Sequence, residues 1–145
     1  MAPVNRRSLQ PGERIRVLAV DDSAVIRRLV AHAVEQEPLI EFVGAASNGA
    51  IALQRIPQFN PHVLTLDVEM PEMDGLEFLR HAKLRTRAKI VILSSVAVAG
   101  SPHAAKAREL GADAIVTKPS GAVSMDLADK RGSQLVQTMK TLIQG

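Results

Sequence analysis

Five short apolar runs recur along the chain: Ile15–Val20, Ile40–Ala46, His62–Asp67, Lys89–Ser94 and Asp113–Lys118. They are rich in β-branched residues, and the first, third and fourth are nearly continuous hydrophobic stretches. Uninterrupted apolarity over so short a run fits a strand buried on both faces, as in a parallel sheet. Between the runs the period becomes helical. Ile26, Leu29, Val30 and Ala33 follow i, i+3, i+4, i+7, with Arg27, Arg28, His32 and Glu35 on the other side. Asn48–Ile56 predicts a shorter helix that closes before Pro57. Gly75–Arg85 turns Leu76, Phe78, Leu79 and Ala82 inward and its basic residues outward. Ser101, Pro102 and Gly111 bracket Ala104–Leu110 with a capping residue, a first-turn proline and a terminal glycine. Leu135, Val136, Met139, Leu142 and Ile143 form the stripe of a last helix.

The order is therefore strand then helix, five times over. Right-handed crossovers put helices on both faces of a doubly wound parallel α/β sheet, and we expect strand order 2-1-3-4-5. One stretch breaks the rhythm. Ser120–Ser133 is longer than the usual connection of about two to six residues and contains Gly121 and Gly132. The expected partition is a flexible leader (1–13), a core (14–119), a linker-like insertion (120–133) and a C-terminal helix (134–145).

Composition narrows the chemistry. A length of 145 residues predicts one domain. Aromatic residues make up 2%, the phenylalanines 42, 59 and 78, so the core must be aliphatic and base-stacking platforms are excluded. The absence of cysteine excludes disulfides, thiolate metal sites and a cysteine nucleophile. The net charge is +3, with basic residues concentrated at Arg80, His81, Lys83, Arg85, Arg87 and Lys89. No aromatics interleave with them, so a mildly basic surface is expected and no nucleic-acid partner. No apolar run approaches the ~18–20 residues of a membrane span, and residues 1–12 lack a signal peptide's apolar region. A cytoplasmic protein without membrane insertion is expected.

In an open parallel sheet, ligands bind outside the carboxyl ends of the strands, at the switch point in strand order. After the first run stand Asp21 and Asp22; the third ends in Asp67, with Glu69 two residues on; the fourth ends in Ser94; the fifth leads to Lys118 and Pro119. The expected order makes the first and third strands neighbours, so Asp21, Asp22 and Asp67 converge, with Ser94 and Lys118 arriving from the other side. Three carboxylates repel one another unless a cation intervenes, and a hard divalent ion such as Mg²⁺ suits oxygen ligands. A lysine and a hydroxyl facing those acids are the parts that hold phosphate oxygens, and an aspartate can attack phosphorus to form an acyl phosphate.

These residues resemble a known family. Val17–Ser23, Leu64–Pro71, Met73-Asp-Gly75, Ser94-Ser95 and Thr117-Lys-Pro119 look like two-component receiver domains, which have a flavodoxin-like (βα)5 fold. Asp21-Asp-Ser-Ala-Val-Ile-Arg27, Thr65–Pro71 and Lys118-Pro-Ser-Gly121, with Ser124-Met-Asp-Leu127 following, narrow the likeness to the receiver half of the chemotaxis response-regulator methylesterases. The resemblance implies that Asp67 is the phosphoacceptor for a histidine kinase. It further implies that Asp21, Asp22 and Asp67 hold Mg²⁺ with the backbone carbonyl of Glu69, that Ser94 is the switch hydroxyl, that Lys118 pairs with the phosphate and that the Lys118–Pro119 bond is cis. The implied partners are a C-terminal methylesterase domain and chemoreceptors.

Two positions depart from the family pattern. Ile115 stands where receivers often carry an aromatic switch residue, and Val96–Gly100 makes an unusually apolar loop that either docks a partner or tucks against the sheet. No Gly-x-Ser-x-Gly occurs, and His32, His62, His81 and His103 fall on helices or at element starts, so this chain is not itself the esterase. A free-standing single-domain response regulator is the alternative. An aspartate-nucleophile phosphohydrolase is a further rival, because Asp67-Val-Glu69 resembles its Asp-x-Asp, but that pair belongs after a first strand. A flavodoxin-type carrier would need aromatics around the flavin.

Overall fold

The computed structural model describes residues 11–67, 75–94, 102–117 and 125–144. Among these residues five strands, β1 (Ile15–Val20), β2 (Ile40–Ala46), β3 (Val63–Asp67), β4 (Lys89–Ser94) and β5 (Ala114–Thr117), alternate with five helices. The helices are α1 (Ala24–Glu35), α2 (Gly49–Phe59), α3 (Gly75–Arg85), α4 (Pro102–Glu109) and α5 (Met125–Gln144). All strand pairs are parallel and the order is β2-β1-β3-β4-β5, the expected doubly wound order.

The continuous apolar runs have a simple origin. Along β1, Val17 and Ala19 face one layer while Leu18 and Val20 face the other; along β4, Val91 and Leu93 oppose Ile90 and Ile92 in the same way. Both faces of these central strands are covered, so alternation of direction leaves no polar position. One layer packs α1 and α5 on the sheet through Ile26, Val30, Val34, Leu135 and Met139. The other packs α2 and α3 through Ala52, Ile56, Phe78, Leu79 and Ala82. Among the described residues Phe78 is the bulkiest fully buried side chain, and the partly buried Phe42 and Phe59 pack against the largely aliphatic core. The edge strands β2 and β5 are mostly half-buried. Val43 is an extra residue in β2, because Val17 pairs with Phe42 and Leu18 with Gly44.

Several boundaries differ from expectation, and β3 starts at Val63 rather than His62. Helix α2 continues through Pro57 and ends at Asn60 in a left-handed conformation (φ 45°), whose N–H bonds the Ile56 carbonyl. A proline in the last turn forfeits one helical bond while its neighbours still pack, so the helix is not cut there. Helix α5 begins at Met125, within the stretch expected to be a linker. Gly132 is not a break: a Cβ there would stand 3.1 Å from the Ala33 Cβ, so the glycine lets α5 approach α1 closely. Strand β5 starts at Ala114 rather than Asp113, whose side chain is engaged by β4 instead. The predicted ends of α4 are close to those observed, with Pro102 in the first turn and Gly111 at φ 110° past the end. Among the described residues no helix is long and apolar enough to cross a membrane.

Candidate functional site

The carboxyl ends of β1 and β3 meet because Val20 pairs with Leu66, so the next residues, Asp21 and Asp67, are neighbours. Asp21 and Asp67 are buried, Asp22 is exposed, and one carboxylate oxygen from each lies within 4.8 Å of the others. Ser94 is 1% exposed and follows Leu93, the β4 partner of Asp67; it pairs in turn with Thr117 of β5. Four of the predicted site residues therefore stand at adjoining strand ends. Glu69 and Lys118 lie outside the described residues, as do the Lys118–Pro119 bond and the Val96–Gly100 loop.

Local structure holds the acidic turn. The Asp21 N–H donates to the Ala46 carbonyl at 3.0 Å, extending the β1–β2 ladder by one residue. Its Oδ1 accepts the Ser23 N–H at 2.9 Å, and the Ser23 hydroxyl caps α1 by accepting the Ile26 N–H at 3.3 Å. The turn is thus clamped between a strand end and a helix start, with the acids beside the positive end of α1.

Sequence reasoning missed Arg27. It set this residue on the outer, polar side of α1, whereas Arg27 Nη1 donates to the Asp21 carbonyl at 2.6 Å. The available signal is position: an arginine one helical turn after the cap Ser23 reaches back over the acidic turn. Thr65, a buried polar residue of β3, was also not singled out. Ile115 is partly buried and packs against the α2–α3 core, an aliphatic filling at that position.

Three oxygens from separate carboxylates, two of them in the floor of the sheet's end, form the donor set of a hard divalent cation. Mg²⁺ fits the chemistry of that set. A buried hydroxyl one strand away adds a group able to donate a hydrogen bond to a phosphoryl oxygen.

Known proteins carry the same arrangement of sequence. Residues 17–130 match the response regulator receiver domain family. The protein-glutamate methylesterase/protein-glutamine glutaminase of Halalkalibacterium halodurans is 46% identical over 118 residues, which is 81% of this chain and 34% of that protein. The namesake from Methylobacillus flagellatus is 49% identical over 105 residues, 72% of this chain and 30% of its own length. The chain thus spans about a third of the curated relatives it matches. Among solved structures, the response regulator domain of Thermotoga maritima CheB superposes with a TM-score of 0.80 at 29% identity, covering 90% of this chain and 97% of that one. A chain from the complex of the CheA3 P1 domain with CheY6 of R. sphaeroides gives 0.75 at 52% identity, covering 90% and 98%. The alternating sheet, the strand-end acids and these likenesses agree: the chain belongs to the response regulator receiver domain family.

Proposed function

We propose that this receiver accepts a phosphoryl group on Asp67 from a phosphohistidine of a partner histidine kinase in chemotaxis signalling. The observation that carries the reading is the convergence of Asp21, Asp22 and Asp67 within 4.8 Å at the carboxyl edge of the sheet. Asp21, Asp22 and Asp67, with the Glu69 carbonyl, would hold Mg²⁺, which supplies neutralisation of phosphoryl charge when bound. In the step itself a carboxylate oxygen of Asp67 attacks phosphorus, the bond from phosphorus to the imidazole nitrogen breaks, and its electron pair returns to the ring. Ser94 and Lys118 then meet the new phosphoryl oxygens as hydroxyl donor and ammonium. The added charge biases the fourth-helix and fifth-strand surface between two states.

The relatives named methylesterase/glutaminase are about three times as long as the matched stretch, which supports a regulatory half joined to a further, methylesterase domain. On that reading the protein acts in the cytoplasm and, through the second domain, on chemoreceptors. In that reading residues 1–13 are a leader, and the receiver comprises residues 14–119 together with helix α5, which packs on the sheet beside α1. The CheA3–CheY6 likeness supports a kinase phosphotransfer domain as the donor.

The test is phosphorylation of the full chain by a small acyl-phosphate donor with and without Mg²⁺, read by intact mass. One added phosphoryl group, labile to hydroxylamine and dependent on Mg²⁺, is expected. Asp67→Asn should abolish it, and Ser94→Ala should keep it. Undiminished labelling of Asp67→Asn would overturn the assignment.

A further inference from the structure

A groove of about 900 Å³ opens at the amino-terminal edge of the sheet, at the opposite end of the strands from the acidic cluster. Lys89 and Ser94 bound β4, so the two sites are separated by roughly 16 Å of strand. The groove's apolar part comes from Leu53 and Ile56 of α2, Pro61 and Ile143 of α5, and Leu84 stands on its rim with 84% of its surface exposed. Arg16, Lys83, Arg85, Arg87 and Lys89 also line it, against a single lining acid, Glu13, among the described residues.

These cations are not equivalent. Arg16 lies 3.1 Å from Glu13, and Lys83 and Lys89 reach Asp113 at 3.4 and 3.9 Å. Among the described residues Arg85 hydrogen-bonds the His81 ring and carbonyl, at 3.4 Å, and neither Arg85 nor Arg87 has an acidic partner. Both are exposed and flank Thr86 in the turn between α3 and β4. Two available guanidinium forks favour carboxylates, which they bind bidentately. The adjoining apolar floor and the exposed Leu84 favour an apolar side chain in the same ligand, and arginine beside exposed apolar surface is typical of protein interfaces.

We propose that this groove docks an acidic amphipathic segment of a partner protein. Its carboxylates engage Arg85 and Arg87, and an apolar residue packs on Leu84 and the floor beside Leu53 and Pro61. A nucleic acid fits less well, because the groove offers no aromatic platform for bases and a floor that phosphate and sugar would leave unsatisfied. The inference does not rest on the phosphoacceptor reading, since no residue is shared between the two ends.

The experiment titrates the isotope-labelled full chain with a short synthetic peptide of glutamates interspersed with leucines and follows backbone amides by NMR. Shifts confined to Leu84–Lys89 and the residues around Pro61 are expected, with the amides near Asp21 and Asp67 unmoved. The double charge reversal Arg85→Glu/Arg87→Glu, at exposed positions that leave the fold intact, should weaken binding at least tenfold. Exchanging the peptide's leucines for serines should weaken it as well. Equal binding by the reversed variant, equal binding of the serine peptide, no shifts at these amides, or a stronger response there to a duplex or single-stranded oligonucleotide would each overturn the proposal.

Discussion

At the amino-terminal end of the sheet, Glu13 lies beside Arg16 and His62, Glu37 beside Lys140, and Asp113 beside Lys83 and Lys89; at the carboxyl end, Asp21, Asp22 and Asp67 crowd against one another. The cation nearest to that cluster in sequence, Arg27, is engaged by the Asp21 backbone carbonyl. Opposite charges that meet are compensated and stabilise or stay neutral, whereas like charges held within a few ångströms cost free energy that folding alone has no reason to accept. The amino end is therefore arranged for stability, with a surplus of arginines left over at the groove. On the proposed function, the carboxyl end is arranged for a ligand. Substitutions at the two ends should accordingly move stability in opposite directions.

The largest effect is expected at Asp113. Its Oδ2 accepts the N–H of Ile90, a residue with no exposed surface, at 2.8 Å, while its own N–H donates to the Ile90 carbonyl at 2.8 Å. Asp113→Ala leaves that buried N–H without its acceptor, which costs about 1–3 kcal/mol, and removes two part-exposed lysine pairs that add less than about 1 kcal/mol. Destabilisation of about 2 kcal/mol, read as a lower urea midpoint at unchanged slope, is expected, with Asp113→Asn milder because it keeps an acceptor. A cost below about 0.5 kcal/mol for Asp113→Ala would mean that the amino-end pairs are surface decoration and would break the comparison.

How much of this could be read beforehand depends on what each residue answers to. The central strands were legible because burial on both faces leaves an unbroken apolar run, and Asp21, Asp22, Asp67 and Ser94 were legible because they are the first polar residues at those runs' ends. The groups that escaped answer to distant partners. Gly132 fell in a stretch that read as a linker, yet it lies in α5 against Ala33 of α1. Pro57 looked like a helix stop, but the last turn of α2 tolerates it. Arg27 obeyed helical periodicity as an outer residue while its guanidinium bonds a carbonyl six positions earlier. Asp113 read as the start of a strand, yet its side chain serves the neighbouring strand as an acceptor. In each case a tertiary contact set the role, and no local pattern carries that information.

The second prediction has the opposite sign. Asp22 is exposed and has its carboxylate within 4.8 Å of two others. Even at the dielectric of water, each such pair repels by roughly 0.9 kcal/mol before salt screening, against about 0.3–1 kcal/mol that an acid gains beside a helix N-terminus. Asp22→Ala should therefore stabilise the metal-free protein by about 0.5–1 kcal/mol. If Mg²⁺ binds as proposed, adding it should reverse the ranking, because an ion at about a hundred times its dissociation constant stabilises the wild type by about 2.7 kcal/mol and the variant by much less. Thermal unfolding of both proteins in chelator and in Mg²⁺ measures the two differences. A variant less stable than wild type in chelator would show that Asp22 is compensated like the acids at the other end.

The smallest effect sharpens the amino end. Glu37 closes α1 onto β2 and α5: its Oε2 accepts the Leu39 N–H at 3.1 Å and its Oε1 accepts from Lys140 Nζ at 3.0 Å. The Leu39 N–H first, and the lysine second, hold this carboxyl below the ordinary glutamate value of 4.5. The unfolded chain then binds more protons than the folded one between the lowered value and 4.5, so stability rises with pH across that window. The contribution is complete above 4.5 and is lost as pH falls through the folded value. Chemical unfolding of wild type and Glu37→Gln as a function of pH should give a difference that is constant near neutrality and closes in acid. Lys140→Met should shrink the acid-sensitive part without removing it, because the Leu39 N–H still favours the carboxylate. A difference between wild type and Glu37→Gln that stays constant through the acid range would show that the carboxylate's charge is immaterial there and that only its shape is used.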